Sequence, residues 1–194
     1  PTVGTLACLV AVAAFVRVAS QTPPERETQP VDCSDPDGPA IYLVPRSKKT
    51  KWVFHSWDMA AGDRGVLWSY ETASLGFEKI TSCGIGSKDS KVYCIVRQTE
   101  GDFVARMDSK GFVYVARMPG GWAVGGTCDE NGALLATTNE AGIWRLSDID
   151  TLAGFSKPWD GMPKMEELGV TSATHGYDVV VWEGWLVSAN GRGV

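Results

Sequence analysis

From residue 41 onward, short runs of β-favouring residues alternate with breaks rich in Gly, Asp, Asn and Pro. The pattern is clearest in GFVYVARMPGGWAVGGTCDENGALLATTNEAGIWRL, which runs from Gly111 to Leu146. Residues 112–117 lead into Met-Pro-Gly-Gly, residues 122–128 into Asp-Glu-Asn-Gly and residues 134–138 into Asn-Glu-Ala-Gly, and residues 142–146 close a set of four. Short strands with a turn signal at each junction predict an antiparallel meander, and recurrence of the unit predicts a β-propeller.

The same reading divides the rest of the chain into units. Residues 41–44, 52–56 and 66–70 resemble part of one blade, and residues 80–85, 92–97, 103–107 and 112–117 make a complete one. A third blade takes residues 122–128, 134–138 and 143–146, with an outer strand near residues 157–165. Residues 179–182 and 185–189 begin a fourth. The expected fold class is all-β: a partial β-propeller built of four-stranded antiparallel blades, about three and a half blades in this chain. Internal equivalences support the repeat: Thr81-Ser-Cys83 with Gly126-Thr-Cys128, Val92 with Leu134, and Leu135-Ala-Thr-Thr-Asn139 with Leu186-Val-Ser-Ala-Asn190, at spacings of about 42 to 51 residues. A single blade cannot bury both of its faces, so neighbours must cover it. Closed propellers typically have at least four blades, so the sequence is expected to be a fragment, or else to be completed by blades from elsewhere.

Ahead of the propeller, residues 6–16 (LACLVAVAAFV) are apolar. The run is shorter than the roughly 20 residues of a membrane-spanning helix and matches a signal-peptide core, with the small residues Val18-Ala-Ser20 at a cleavage site and Arg17 interrupting the pattern. The chain opens on Pro1 without an initiator Met. The expected organisation is therefore a signal peptide over 1–20, truncated at its start, a Pro-rich linker over 21–40, and a propeller fragment over 41–194; a signal anchor is the rival reading of the leader. Cleavage would leave no membrane span in the mature chain and place it outside the cell, secreted or on the extracellular surface. It would also leave Cys33, Cys83, Cys94 and Cys128, which in an exported chain favours disulfides. Folding a hairpin about the polar turn at residues 86–91 sets Cys83 opposite Cys94, within bridging distance. Cys33 and Cys128 then pair by elimination, with buried free thiols as the alternative. No Cys or His spacing suggests zinc.

Composition agrees with a turn-rich β protein: 22 Gly, eight Trp and 21% charged residues. A net charge of −5 argues against a nucleic-acid partner, which needs clustered Lys and Arg. The one basic cluster, Arg46, Lys48, Lys49 and Lys51, reads as a solvated loop.

The strands also carry a family resemblance. DFVARMD at 102–108, GFVYVARMP at 111–119, Gly126-Thr-Cys-Asp129 with Asn131-Gly132, and Ile143-Trp-Arg-Leu146 resemble extracellular β-propeller repeats of uncharacterised function. The resemblance is strongest over Phe77 to Leu146 and loose over residues 174–194. Met107 and Cys128 depart from its usual Ile and aromatic residues, and residues 41–70 match poorly. It implies a fold and a surface-exposed location, with no chemistry attached.

Candidate chemistry is sparse. The chain has no HExxH, Walker, GxSxG or strand-to-helix GxGxxG motif. His55 reads as a packed or half-exposed strand residue. His175 and Asp178, just before an inner strand, are the most site-like pair, because in a propeller that position faces the opening of the central channel. Asn139 and Asn190 each end the second strand of a blade. In lactonase-like propellers, Asn, Asp and Glu from several blades hold a metal at this rim, so calcium or another divalent cation belongs to that alternative alone. The simpler reading is that Asn builds the turn. The tryptophans are candidate platforms for sugar rings or protein hot spots, most of them packed between blades, with Trp182 and Trp185 paired across a hairpin. The expected function is a secreted or surface-displayed binding or scaffold module for a protein or a carbohydrate, more a binder than an enzyme and without a cofactor. His175, Asp178, Asn139 and Asn190 are its candidate ligand-binding residues. A metal-dependent lactonase-like hydrolase, with its site on the channel rim, is the alternative.

Overall fold

The computed structural model describes residues 27–31, 41–43, 51–57, 61–71, 76–120, 122–140, 142–170, 178–182 and 185–189. Among them are strands and a single 3-10 turn at Ile149–Thr151, with no α-helix. Strands β1 (Ile41–Leu43), β2 (Lys51–Trp57) and β3 (Arg64–Glu71) form an antiparallel sheet in chain order. A four-stranded meander follows, made of β4 (Lys79–Ile85), β5 (Val92–Gln98), β6 (Gly101–Asp108) and β7 (Gly111–Arg117). The next is made of β8 (Ala123–Cys128), β9 (Leu134–Thr138), β10 (Gly142–Leu146) and β11 (Glu166–Val170), and β12 (Asp178–Trp182) pairs with β13 (Trp185–Ala189). Strand β8 lies against β4 on one side and β12 on the other. First strands of successive sheets thus adjoin, as inner strands of propeller blades do, and the fold is an all-β partial propeller.

Burial of the second blade shows why its strands read as continuous apolar runs. Residues 92–96 of β5 are all buried. Their side chains alternate between two cores: Val92, Cys94 and Val96 pack in a cluster with Phe54 and Tyr70 of the first sheet, whereas Tyr93 and Ile95 pack with Leu134 and Ala136 of the following blade. Strand β6 divides in the same way, Phe103, Ala105 and Met107 to one core and Val104 to the other. A strand with one wet face would alternate apolar with polar residues; this blade has no wet face. Each fully buried large side chain contributes about 1.5–3 kcal/mol.

Two glycines let the inner strands approach. A Cβ on Gly84 would lie 2.6 Å from the Cys128 backbone nitrogen, and one on Gly126 would lie 2.9 Å from Ser82 Oγ. Side chains at these positions would push the blades apart. Cys83 pairs directly with Cys94 across β4 and β5, and the two form a disulfide, as the hairpin reading expected. Turns at the far end are built by aspartates. Asp108 Oδ1 accepts from the Lys110 and Gly111 amides at 2.7 and 3.1 Å, and Asp129 Oδ1 accepts from those of Asn131 and Ala133 at 3.0 and 2.7 Å. Within the expected linker, residues 27–31 lie against the second blade: Val31 joins its core and donates its amide to Ser90 O at 2.7 Å.

Two details differ from expectation. Register places Ile85 opposite Val92 and Cys128 opposite Leu134, so Cys128 corresponds to Ile85 and not to Cys83. The Ser/Thr-Cys likeness is one of side chains, while register follows the turns and the buried pattern. The outer strand of the third blade is β11, Glu166–Val170, later than the expected 157–165. Residues 155–165 serve the preceding blade instead. Tyr114 and Phe155 exchange two backbone hydrogen bonds at 2.8 Å, the Arg117 amide donates to Pro163 O at 2.8 Å, and the Met165 amide donates to Arg117 O at 3.0 Å. The outer edge of β7 is thereby satisfied and covered.

The junction between these blades is organised by Asp102, 3% exposed. Arg97 Nε donates to Asp102 Oδ1 at 2.9 Å and Arg97 Nη2 to Oδ2 at 3.1 Å. Asp102 Oδ2 also accepts from the Ala123 amide at 2.7 Å, Arg97 Nη2 reaches Ala123 O at 3.1 Å, and the Met118 amide donates to Asp102 O at 3.0 Å. One carboxylate thus ties the β5–β6 hairpin to the first residue of β8. Asp102→Ala is expected to destabilise the protein by about 3 kcal/mol, because it strands a guanidinium and a buried amide; Asp102→Asn, which keeps an acceptor, should cost less. Urea unfolding midpoints of the two variants against wild type test both the size and the order.

Candidate functional site

The blade end where β4, β8 and β12 begin, the leading rim, also carries the β5–β6 turn at Thr99 and Glu100, the β7–β8 connection and the β9–β10 turn at Asn139 and Glu140. Trp122 stands on this rim, 61% exposed. The Arg97 guanidinium, already oriented by Asp102, lies 4.2 Å from the centre of its ring, a cation–π contact. Asn139 holds its backbone: Oδ1 accepts from the Trp122 amide at 2.9 Å, and the Asn139 amide donates to Trp122 O at 3.0 Å. The result is an exposed indole fixed from beneath and from its own backbone.

A second exposed indole, Trp159, is 52% exposed and belongs to the segment that covers β7. Phe155 meets it edge-on, with ring centroids 5.7 Å apart. A Cβ on Gly161 would lie 2.0 Å from the Trp159 ring, so the indole keeps its place only because residue 161 has no side chain. Beside it opens a cavity of about 370 Å³ lined by Gln98, Glu100, Phe103, Arg117, Trp159 and Asp160. Arg117 forms an ion pair with Asp160 at 3.6 Å, and its guanidinium lies 5.9 Å from the Phe103 ring centre. Gln98 Nε2 donates to the Tyr114 hydroxyl. Burial, and then the nearby Glu100 charge, push that phenol up to about 12.

Of the residues singled out from sequence, Asn139 clamps the Trp122 backbone across from it and is not among the described non-glycine residues with left-handed backbone. Asp178 opens β12 opposite Ala189, while His175 and Asn190 lie outside the described residues. His55 is half-buried in β2 with Nδ1 3.1 Å from Gly65 O. Trp68 stacks on Phe54 in the first core, Trp144 packs in the second, and Trp182 and Trp185 are direct cross-strand partners. Cys33 lies outside the described residues, and Cys128 has no disulfide partner among them. Also among the described residues, no group of three or more His, Cys, Asp or Glu is placed to hold a metal ion. Arg97 and Asp102 are not among the candidate site residues named above. A signal was available, since a two-residue turn at Thr99-Glu100 puts Arg97 directly opposite Asp102, where opposite charges attract.

No family model matches the chain, and no curated protein matches it. Among solved structures, a gluconolactonase from Xanthomonas campestris is similar in fold at 13% identity and a TM-score of 0.40, covering 80% of this chain and 55% of that one. The chain spans about half the length of that protein. A likeness at this level carries no inference about chemistry.

Two outcomes follow, one at the rim and one at the far end of β8. Asn139→Ala should cost about 1 kcal/mol in thermal or urea unfolding, one hydrogen bond to a backbone amide being lost. Burial, then the charges of Asp89 and Asp129, push the Cys128 thiol up to about 12. An unfolded thiol ionises near pH 8.5, so the unfolded state sheds this proton first and stability should fall as pH rises from about 9 toward 12. At pH 8 iodoacetamide should label a free Cys128 thiol more slowly in the folded protein than in urea, because the raised thiol carries less thiolate there. Equal labelling rates in the two states would contradict this.

Proposed function

We propose that this chain is a secreted or surface-displayed binding module that meets a protein or a carbohydrate at its leading rim. The observation that carries this reading is Trp122. Exposed aromatic side chains already held in place are the groups that contribute most on binding, since little ordering remains to oppose association. The Arg97 contact at 4.2 Å and the Asn139 clamp supply that rigidity. An extracellular setting is supported by the Cys83–Cys94 disulfide, because such bonds persist in oxidising compartments. Among the described residues, no helix is long and apolar enough to cross a membrane.

The hydrolytic alternative draws on the same rim, with a calcium or other divalent cation held by residues such as Asn139 and Asp178. Commitment of Asn139 Oδ1 to the Trp122 amide engages an oxygen that a cation would need, which favours the binding module. The deciding experiment displays wild-type protein and Trp122→Ala to a glycan array and to a panel of extracellular proteins, with calcium titrations followed by thermal unfolding. The expected result is a ligand whose affinity drops about tenfold or more in the variant, with Tm only slightly lowered, since the Asn139 bonds are made by the backbone of residue 122 and only the Arg97 ring contact is lost. A calcium-dependent rise in Tm that Asn139→Ala abolishes would instead transfer the case to the hydrolase.

A further inference from the structure

The cavity beside Trp159 combines three chemistries in a small space. It has an apolar ring face, a guanidinium and two carboxylates, and at about 370 Å³ it sits at the lower end of the roughly 300–1,000 Å³ typical of ligand pockets. Trp159 is not an incidental surface residue. Phe155 braces its edge, and Gly161 leaves the only space in which the ring can lie. An indole held in place beside a cavity offers a ready stacking face to a ligand.

Charge excludes most ligand classes. A cation drawn to Glu100 and Asp160 would meet the Arg117 guanidinium, itself 3.6 Å from Asp160. An anion drawn to Arg117 would meet both carboxylates. A peptide adding itself as a strand would need a free edge, but the edge of β7 is taken by Phe155, Pro163 and Met165. What remains is a neutral molecule with one apolar face and a periphery of groups that both donate and accept hydrogen bonds. A pyranose ring has this character: its C–H face stacks on an indole, its hydroxyls donate to carboxylates, and its oxygens accept from a guanidinium.

We propose that this cavity is a subsite for a neutral hexopyranose, with Trp159 as the stacking platform, Glu100 and Asp160 as acceptors and Arg117 as donor. The proposal rests on the binding-module reading and sharpens it to a carbohydrate ligand, seated on Trp159 in a cavity that Trp122 does not line. The test is a titration of the whole chain with methyl glucoside, galactoside, mannoside and N-acetylglucosaminide, read by tryptophan fluorescence and saturation-transfer NMR. Tetramethylammonium and inorganic phosphate serve as charged probes. The expected result is binding of at least one glycoside, weakened about tenfold or more by Trp159→Ala. Trp159→Phe, which keeps a smaller ring, should lose less, and Glu100→Gln should weaken binding with the fold intact. The proposal is overturned if no glycoside binds, if binding survives Trp159→Ala, or if either charged probe occupies the cavity in preference to the sugars. Should no glycoside bind while Trp122→Ala still abolishes recognition of a protein, the saccharide subsite falls and the rim reading stands. Loss of neither kind of binding to either variant overturns both.

Discussion

A buried carboxylate must be answered by donors, and Asp102 is answered from two blades at once. Arg97 supplies two of its hydrogen bonds from the paired strand, and the Ala123 amide supplies another from the start of the next blade. Satisfying this single group fixes where the β5–β6 hairpin stands relative to β8 and therefore how the chain passes from one blade to the next. The same constraint shapes the rim. With its head held by Asp102, Arg97 is also positioned under the Trp122 ring, so the interaction that joins the blades sets the orientation of an exposed indole.

The second blade is the shared layer of the fold. Its strands send alternate residues into two cores, and each core is completed by a different neighbour. Such an arrangement cannot be stable as an isolated blade, because half of its apolar surface would face water. It also leaves an open strand edge at β7, which is closed by the long excursion between β10 and β11. That excursion carries Trp159, so the segment that satisfies the edge delivers an aromatic platform beside Arg117 and Glu100. Edge protection and the candidate subsite are thus two consequences of one stretch of chain.

Local signals in the sequence carried the elements a long way. Short β-favouring runs and breaks such as Asp-Glu-Asn-Gly located the strands of the two full blades apart from β11, since turn chemistry and pleat geometry act over a few residues. The Cys83–Cys94 pair was legible for the same reason: both residues belong to one hairpin, and their register follows from its turn. The pairing of Trp182 with Trp185 was legible on the same grounds.

Residues whose state depends on distant chain were not readable in this way. Nothing local marks residues 155–165 as partners of β7, nothing local separates the exposed Trp122 and Trp159 from the packed Trp68 and Trp144, and the apparent likeness of Cys83 and Cys128 concealed a shift in register. By itself the sequence determined the all-β class, where most of the strands lie, and which cysteines one hairpin brings together. Tertiary structure alone decided which aromatic faces are covered and which polar groups converge, because coverage is a property of the neighbour that arrives, and that neighbour is chosen by unsatisfied edges and buried charges far away in sequence.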